Sequence, residues 1–211
     1  MKTRRVLTLA FVAFVALASS GCGYNTLVAK HQNVKEKWAN VEAQLQRRAD
    51  LIPNTFEAAR ASSIQEQEVF GQIAEARSRL LNATREAPKG EDGDKTPEQK
   101  QAVIDAANSF GGTVGRLLSL AEAYPELRST EAFQKVQTVL EGTENRISVA
   151  REDYNAAVKD YNTSRSQFPM VISAKMYGYK DEPYFQAEQG AREAPKINAD
   201  SLRRDQGGQS K

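Results

Sequence analysis

The sequence predicts an all-α protein of long helices packed along coiled-coil-like seams, and three observations predict it. Tyr24, His31, Trp38, Leu45 and Ile52 stand seven residues apart, with Leu27, Val34 and Val41 at the complementary position of the same seam. Phe133, Leu140, Ile147, Tyr154, Tyr161 and Phe168 repeat that spacing further along the chain. Two helical turns advance the chain by close to seven residues, so each series lies as one stripe along a helix. The third observation is composition. Glu, Ala, Arg, Gln and Lys dominate, aromatics are sparse, and no segment alternates apolar and polar residues as a half-buried strand does.

The chain opens with Lys2, Arg4 and Arg5, followed by the uncharged, mainly apolar run Val6–Ala18 and then Ser19-Ser20-Gly21-Cys22. A positive start, a short apolar run and small residues before a cut define a secretory signal. The run falls short of the about 20 residues that a membrane span needs. Ser20 and Gly21 ahead of Cys22 fit the motif read by lipoprotein signal peptidase, although Ser19 stands where that motif favours Leu. Residues 1–21 are therefore expected to be removed. Cys22 then becomes an N-terminus carrying covalent diacylglycerol and an N-acyl chain such as palmitate. Cys22 is the sole cysteine, so the sequence offers no internal disulfide, and lipidation gives the odd thiol a use. Each buried acyl methylene contributes about 0.8 kcal/mol, and more than one chain makes the anchor stable. Gly23, rather than the Asp of an inner-membrane retention signal, points to the periplasmic face of the outer membrane in a Gram-negative cell.

The first helix follows its heptads to Pro53, which has no N–H to donate and is expected to kink or break it. A second helical stretch runs from about Asn54 to Thr84, with Phe56, Phe70, Ile73, Leu80 and Leu81 facing inward. Residues 85–96 (REAPKGEDGDKT) read as an exposed loop. Thr96-Pro97-Glu98-Gln99 restarts a helix. Thr96 accepts from a first-turn amide, Pro97 fits that turn, and Gln99 reaches back as a capping box. This third helix runs to about Ala123, ahead of Pro125. Gly111 and Gly112 inside it cost about 1 kcal/mol each against Ala and permit a close helix contact or a bend. Ser129 caps a fourth helix, in which the small Val136, Thr143, Ala150, Ala157 and Ser164 stand opposite its large series, and Pro169 stops it. Residues 22–186 thus form one helical body. Residues 187–211 are charged, contain Gly207 and Gly208, lack apolar periodicity and read as a disordered tail.

Charge and residue inventory exclude several classes of function. The whole chain carries a formal net charge of +2. Removing Lys2, Arg4 and Arg5, with no acidic residue among residues 1–21, lowers it to −1. That is no footprint for nucleic acid. His31 is the only histidine; it lies on the apolar seam without a second His or Cys for zinc, and reads as a packing residue. No His-based triad or thiol nucleophile can be assembled beyond His31 and Cys22, and Gly111-Gly112 lacks the pattern of a phosphate loop. No catalytic residue, cofactor or metal ligand is expected.

Two constellations remain. Arg47, Arg48 and Asp50 precede Pro53, and Arg48 continues the 27–34–41 seam and so points inward. A buried arginine needs a counter-charge. Glu122 and Glu144 are its candidates, either as an ion pair that fixes helix register or as part of an anion or peptide site. Tyr24-Asn25, Tyr154-Asn155 and Tyr161-Asn162 form a repeated pair, the last two on one helix face. Tyrosine is expected to fill the seam and asparagine to bond across helices, with a carbohydrate or lipid-headgroup site as the alternative. Tyr177, Tyr179, Pro183, Tyr184 and Phe185 form a late aromatic cluster that folds back over a helix end or docks a partner.

These motifs resemble the LemA family of bacterial envelope proteins. The resemblance starts at Tyr24-Asn25 with Leu27-Val28, passes Trp38 and includes Arg47-Arg48-x-Asp50-Leu51-Ile52-Pro53-Asn54. It resumes at Phe70, Ile73 and Ala76-Arg77, and again at Leu117-x-x-Leu120-x-Glu122-x-Tyr124-Pro125-x-Leu127, Phe133 and Leu140. It closes with Arg151-x-x-Tyr154-Asn155-x-x-Val158-x-x-Tyr161-Asn162 and Phe168-Pro169, covering roughly residues 23–186. Many members keep an uncleaved N-terminal membrane helix, whereas this chain reads as a lipoprotein variant. The resemblance implies an up-and-down antiparallel four-helix bundle and no reaction. The function expected is that of a lipid-anchored, non-catalytic scaffold or interaction module with an envelope protein partner. The alternative is a binding module for a lipid headgroup, glycan or peptide around Arg48 and Glu122.

Overall fold

The computed structural model describes residues 2–60, 67–90, 93–122 and 131–186, with side chains chiefly from Tyr24 to Ile52 and from Gly71 onward. Among the described residues the chain forms five helices and no strand: α1 (Lys2–Arg60), α2 (Gln67–Arg85), α3 (Pro97–Glu122), α4 (Glu131–Ser166) and the short α5 (Met170–Met176). Helix α1 packs mainly along α4, α2 along α3, and α5 against both α1 and α4. Lys30 pairs with Asp160 and Arg48 with Glu144, so α1 and α4 run in opposite directions.

Both heptad series are buried as their spacing predicts, apart from the half-buried Tyr24 and His31 at the start of the first and one residue at the end of the second. Leu27, Val34, Trp38, Val41, Leu45 and Ile52 of α1 meet Leu140, Ile147, Tyr154 and Tyr161 of α4 in one core. The Trp38 and Tyr154 rings lie 5.2 Å apart at 56°. The small residues Val136, Thr143, Ala150, Ala157 and Ser164 are buried beside the large ones, as interdigitation requires. Burying each large apolar side chain contributes roughly 1.5–3 kcal/mol. The last residue of the α4 series departs from expectation: Phe168 is exposed. Helix α4 ends at Ser166 and the chain turns over residues 167–169, so helical periodicity no longer governs position 168.

Pro53 does not break the first helix, which continues to Arg60. A proline removes the N–H that would bond the carbonyl four residues earlier, here that of Ala49. Arg77 of α2 replaces the missing donor: its Nε donates to Ala49 O at 2.6 Å, while its Nη2 stands 3.6 Å from Asp50 Oδ1. The neighbouring helix thus supplies the hydrogen bond that sequence alone shows as lost. The second helix accordingly is described from Gln67, later than Pro53 suggests. Phe56, Phe70 and Ser129 lie outside the described side chains or residues, as does all of 187–211.

Helix α3 begins as expected. Gln99 N donates to Thr96 Oγ1 at 3.3 Å and Thr96 N donates to Gln99 Oε1 at 3.1 Å, a reciprocal capping box. The loop before it is mostly exposed but is tied down by Lys95, a buried exception. Its Nζ donates to the carbonyls of Thr84 (2.8 Å) and Glu86 (3.0 Å), capping the end of α2.

Candidate functional site

After α5 the chain runs as a non-helical strap, residues 179–186, between α3 and α4. Here the repeated Tyr-Asn pairs find their partners. Asn162 Nδ2 donates to Glu182 O and its Oδ1 accepts from Glu182 N, at 2.9 and 3.0 Å. Asn155 does the same with Phe185, at 2.9 and 2.8 Å. Tyr161 OH donates to Lys180 O and Tyr154 OH to Pro183 O, at 2.9 and 2.8 Å. Each helical pair is seven residues apart and each strap pair three. Seven helical residues rise about 10.5 Å and three extended residues span about 9.9 Å, so the two ladders match. The expectation that these asparagines bond helix to helix is corrected: each carboxamide reads one strap residue in the manner of a neighbouring strand. Tyr24 stacks on Tyr177, ring centroids 4.7 Å apart, and Asn25 is exposed, so the first pair does not join the ladder.

The strap carries Glu182 into the interior. Lys100 Nζ, fully buried, donates to both Glu182 oxygens at 3.0 Å and lies 3.3 Å from Asp94 Oδ2 and 6.0 Å from the Trp38 ring centroid. His31 Nε2 is 3.4 Å from Glu182 Oε1, and the imidazole packs against the Tyr161 and Tyr179 rings. Glu42 stands 3.6 Å from Lys95, and burial raises its carboxyl above the ordinary carboxylate value. Burial and the nearby Glu182 carboxylate push the Tyr154 and Tyr161 phenols well above theirs. Removing one member of such a pair leaves an uncompensated buried charge, at a cost of about 3–5 kcal/mol. His31 is thus a packing histidine with an acidic neighbour. Among the described residues no His, Cys, Asp and Glu group has metal-binding geometry.

A second feature lies further along α3 and α4. Arg48 points inward, as its seam position predicts, and its partner is Glu144, with Nη1 to Oε2 at 2.8 Å. Glu122 sits at the end of α3 with its side chain outside the described residues. Arg151 Nη1 approaches the other Glu144 oxygen at 3.7 Å, and its guanidinium lies 4.2 Å from the Phe185 ring centroid. Burial lowers the pKa of both guanidiniums, and both Nε atoms are buried without a hydrogen-bond partner. Arg47 and Asp50 are both exposed, and Asp50 accepts from Gln46 at 3.0 and 2.9 Å. Arg48, Gly111, Gly115, Leu118, Leu140 and Glu144 help line an open groove of about 590 Å³. A β-carbon on Gly111 would stand 3.7 Å from Arg48 Nη1, an ordinary contact, so the glycine adds depth rather than relieving a clash.

The LemA family profile matches residues 37–198. The chain belongs to the LemA family. This LemA-family chain is also similar to magnetosome protein MamQ 2 of Paramagnetospirillum magneticum, 29% identical over 204 residues, with 91% of this chain and 74% of that protein covered. Magnetosome protein MamQ of Magnetospirillum gryphiswaldense is 26% identical over 192 residues, covering 85% of this chain and 70% of its own length. The family match takes in Trp38, Lys100, both later Tyr-Asn pairs and the strap. Lys100, Lys95 and Glu182 escape a reading by residue type. The available signal is that Lys100, Ala107 and Val114 stand seven apart on α3, which puts Lys100 on that helix's buried stripe.

Proposed function

We propose that this LemA-family protein is a non-catalytic interaction module of the bacterial cell envelope, tethered to a membrane through lipid on Cys22. The observation that carries the reading is how the buried ionisable groups are used. Lys95, Lys100 and Glu182 each engage a partner on another element, so these interior charges join the fold, and Arg48, at the groove, is itself paired with Glu144. In this reading α1 to α4 form an up-and-down antiparallel bundle. The α1–α4 pairing supports it, as does the approach of Arg48 to within 5.7 Å of the Phe110 ring centroid on α3. Tyr24, two residues after Cys22, already packs on Tyr177, so the tether would enter the body directly. The test is the intact mass of protein extracted from membranes, beside a Cys22→Ala variant. A species starting at Cys22 with added acyl mass, released from the membrane by the substitution, is the expected result. An unmodified thiol on a soluble exported chain overturns the lipoprotein reading.

A second reading, a binding site for an anionic headgroup or acidic peptide, is favoured by the groove beside Arg48 and Arg151 with their two unpartnered Nε atoms. Saturable binding of such a ligand, abolished by Arg151→Gln and strengthened by Glu144→Gln, which frees the guanidiniums, would support it over a purely structural ion pair.

A further inference from the structure

Among the described residues, exposed large apolar side chains gather at one place. Phe168 is 81% exposed, Ile172 57%, Met176 69% and Tyr177 57%, while Val149 and Tyr184 stand apart. Ile172 and Met176 are spaced by four and share one face of α5, with Phe168 in the turn just before that helix and Tyr177 just after it. The opposite face of α5 is its buried one, carrying Ser173 and Ala174. A soluble surface seldom concentrates apolar side chains in this way without a use.

The position of the face says what covers it. Tyr177 at its edge stacks on Tyr24 of α1. Cys22 is two residues before Tyr24, about 3 Å of helical rise, and the uncharged run Val6–Ala18 ends about 9 Å before it. Whether the anchor is lipid on Cys22 or the retained N-terminal run, the bilayer begins at this end of the body. The chemistry also fits. Aromatic and long apolar side chains settle at the boundary between headgroups and acyl chains, and the exposed Lys175 beside them suits lipid phosphates.

We propose that Phe168, Ile172, Met176 and Tyr177 form a second membrane contact, by which the tethered body rests its anchored end on the lipid surface instead of swinging free on its anchor. The inference rests on the tethered reading above. The lipid contact would fix the orientation of the bundle, presenting the Arg48 groove at a set height above the membrane.

The test uses the full chain reconstituted into mixed phosphatidylethanolamine–phosphatidylglycerol vesicles. Phe168→Trp is compared with Val149→Trp, the emission of the parent chain, whose one tryptophan is the buried Trp38, being subtracted. Val149 stands about 26 Å of helical rise before the end of α4. Flotation with the vesicles reports the tether; quenching by brominated acyl chains reports contact with the lipid interior. The expected result is flotation of both variants, with blue-shifted, bromine-quenched emission from Phe168→Trp and red, unquenched emission from Val149→Trp. Flotation of Phe168→Trp with unquenched, water-exposed emission keeps the tether and overturns the contact. A blue shift in that variant without bromine quenching assigns the face to a protein partner and overturns it too. Equal quenching in both variants means general adsorption and also overturns it. Failure to float overturns the tethered reading itself.

Discussion

Replacing Arg77 with Leu should expose the defect that Pro53 writes into α1. The substitution removes the donor to Ala49 O and leaves that carbonyl without a partner inside the helix. A hydrogen bond from a charged donor is worth about 1.5–3 kcal/mol. The Arg77 side chain is 34% exposed, and solvent can partly replace it, so the expected cost falls to about 1–2 kcal/mol. For a domain of this length that is a loss of about 3–6 °C in melting temperature. The decisive comparison is the same substitution in a Pro53→Ala background. An alanine restores the N–H four residues after Ala49, so the carbonyl has its intrahelical partner and Arg77 becomes dispensable. Urea unfolding followed by helical circular dichroism should show Pro53→Ala stabilising, and Arg77→Leu costing much less in that background than alone. An equal cost of Arg77→Leu in both backgrounds would refute the reasoning and leave Arg77 with no role at the proline.

The strap ladder makes a residue-specific prediction. Asn162→Ala should abolish hydrogen-exchange protection at the Glu182 amide first, and Asn155→Ala at the Phe185 amide, each costing about 2 kcal/mol for two lost backbone bonds; simultaneous loss at both amides from either change would mean the strap opens as one unit. Alkaline pH probes the same ladder. Tyr154 and Tyr161 have folded-state pKa values raised above the ordinary 10.0, so their support is complete below that pH and is withdrawn as pH rises beyond it. Tyrosinate absorbance should therefore show the two ladder phenols ionising only with loss of helix, so that Tyr154→Phe and Tyr161→Phe remove the part of the absorbance step that coincides with unfolding; their ionisation while the helices are intact would contradict their burial.

Helices and seams were legible because a heptad states which side of a helix is apolar without reference to anything else. Trp38, Leu45, Ile147 and Tyr154 are buried where their spacing puts them. Arg48 was legible for the same reason: a charge on a seam is conspicuous, and its need for a counter-charge follows from desolvation. Its choice of Glu144 was not legible, because that depends on how two distant helices are staggered. Lys100 shows the limit. It lies on a buried stripe, yet its partner Glu182 belongs to a strap with no helical period and 82 residues away.

By itself, then, the sequence determined the helical class, the capping box at Thr96, the inward face of each long helix and the lone Cys22 behind a short apolar run. Local chemistry fixes all of these, since spacing, caps and composition act within a few turns of chain. The tertiary structure decided whether Pro53 ends α1, because the donor that repairs it comes from Arg77 on another helix. It decided what Asn155 and Asn162 bind, because the match of seven helical residues to three extended ones exists only once the strap lies beside α4. It also decided that Phe168 faces outward, because the chain turns after Ser166 and leaves the seam that its spacing had continued.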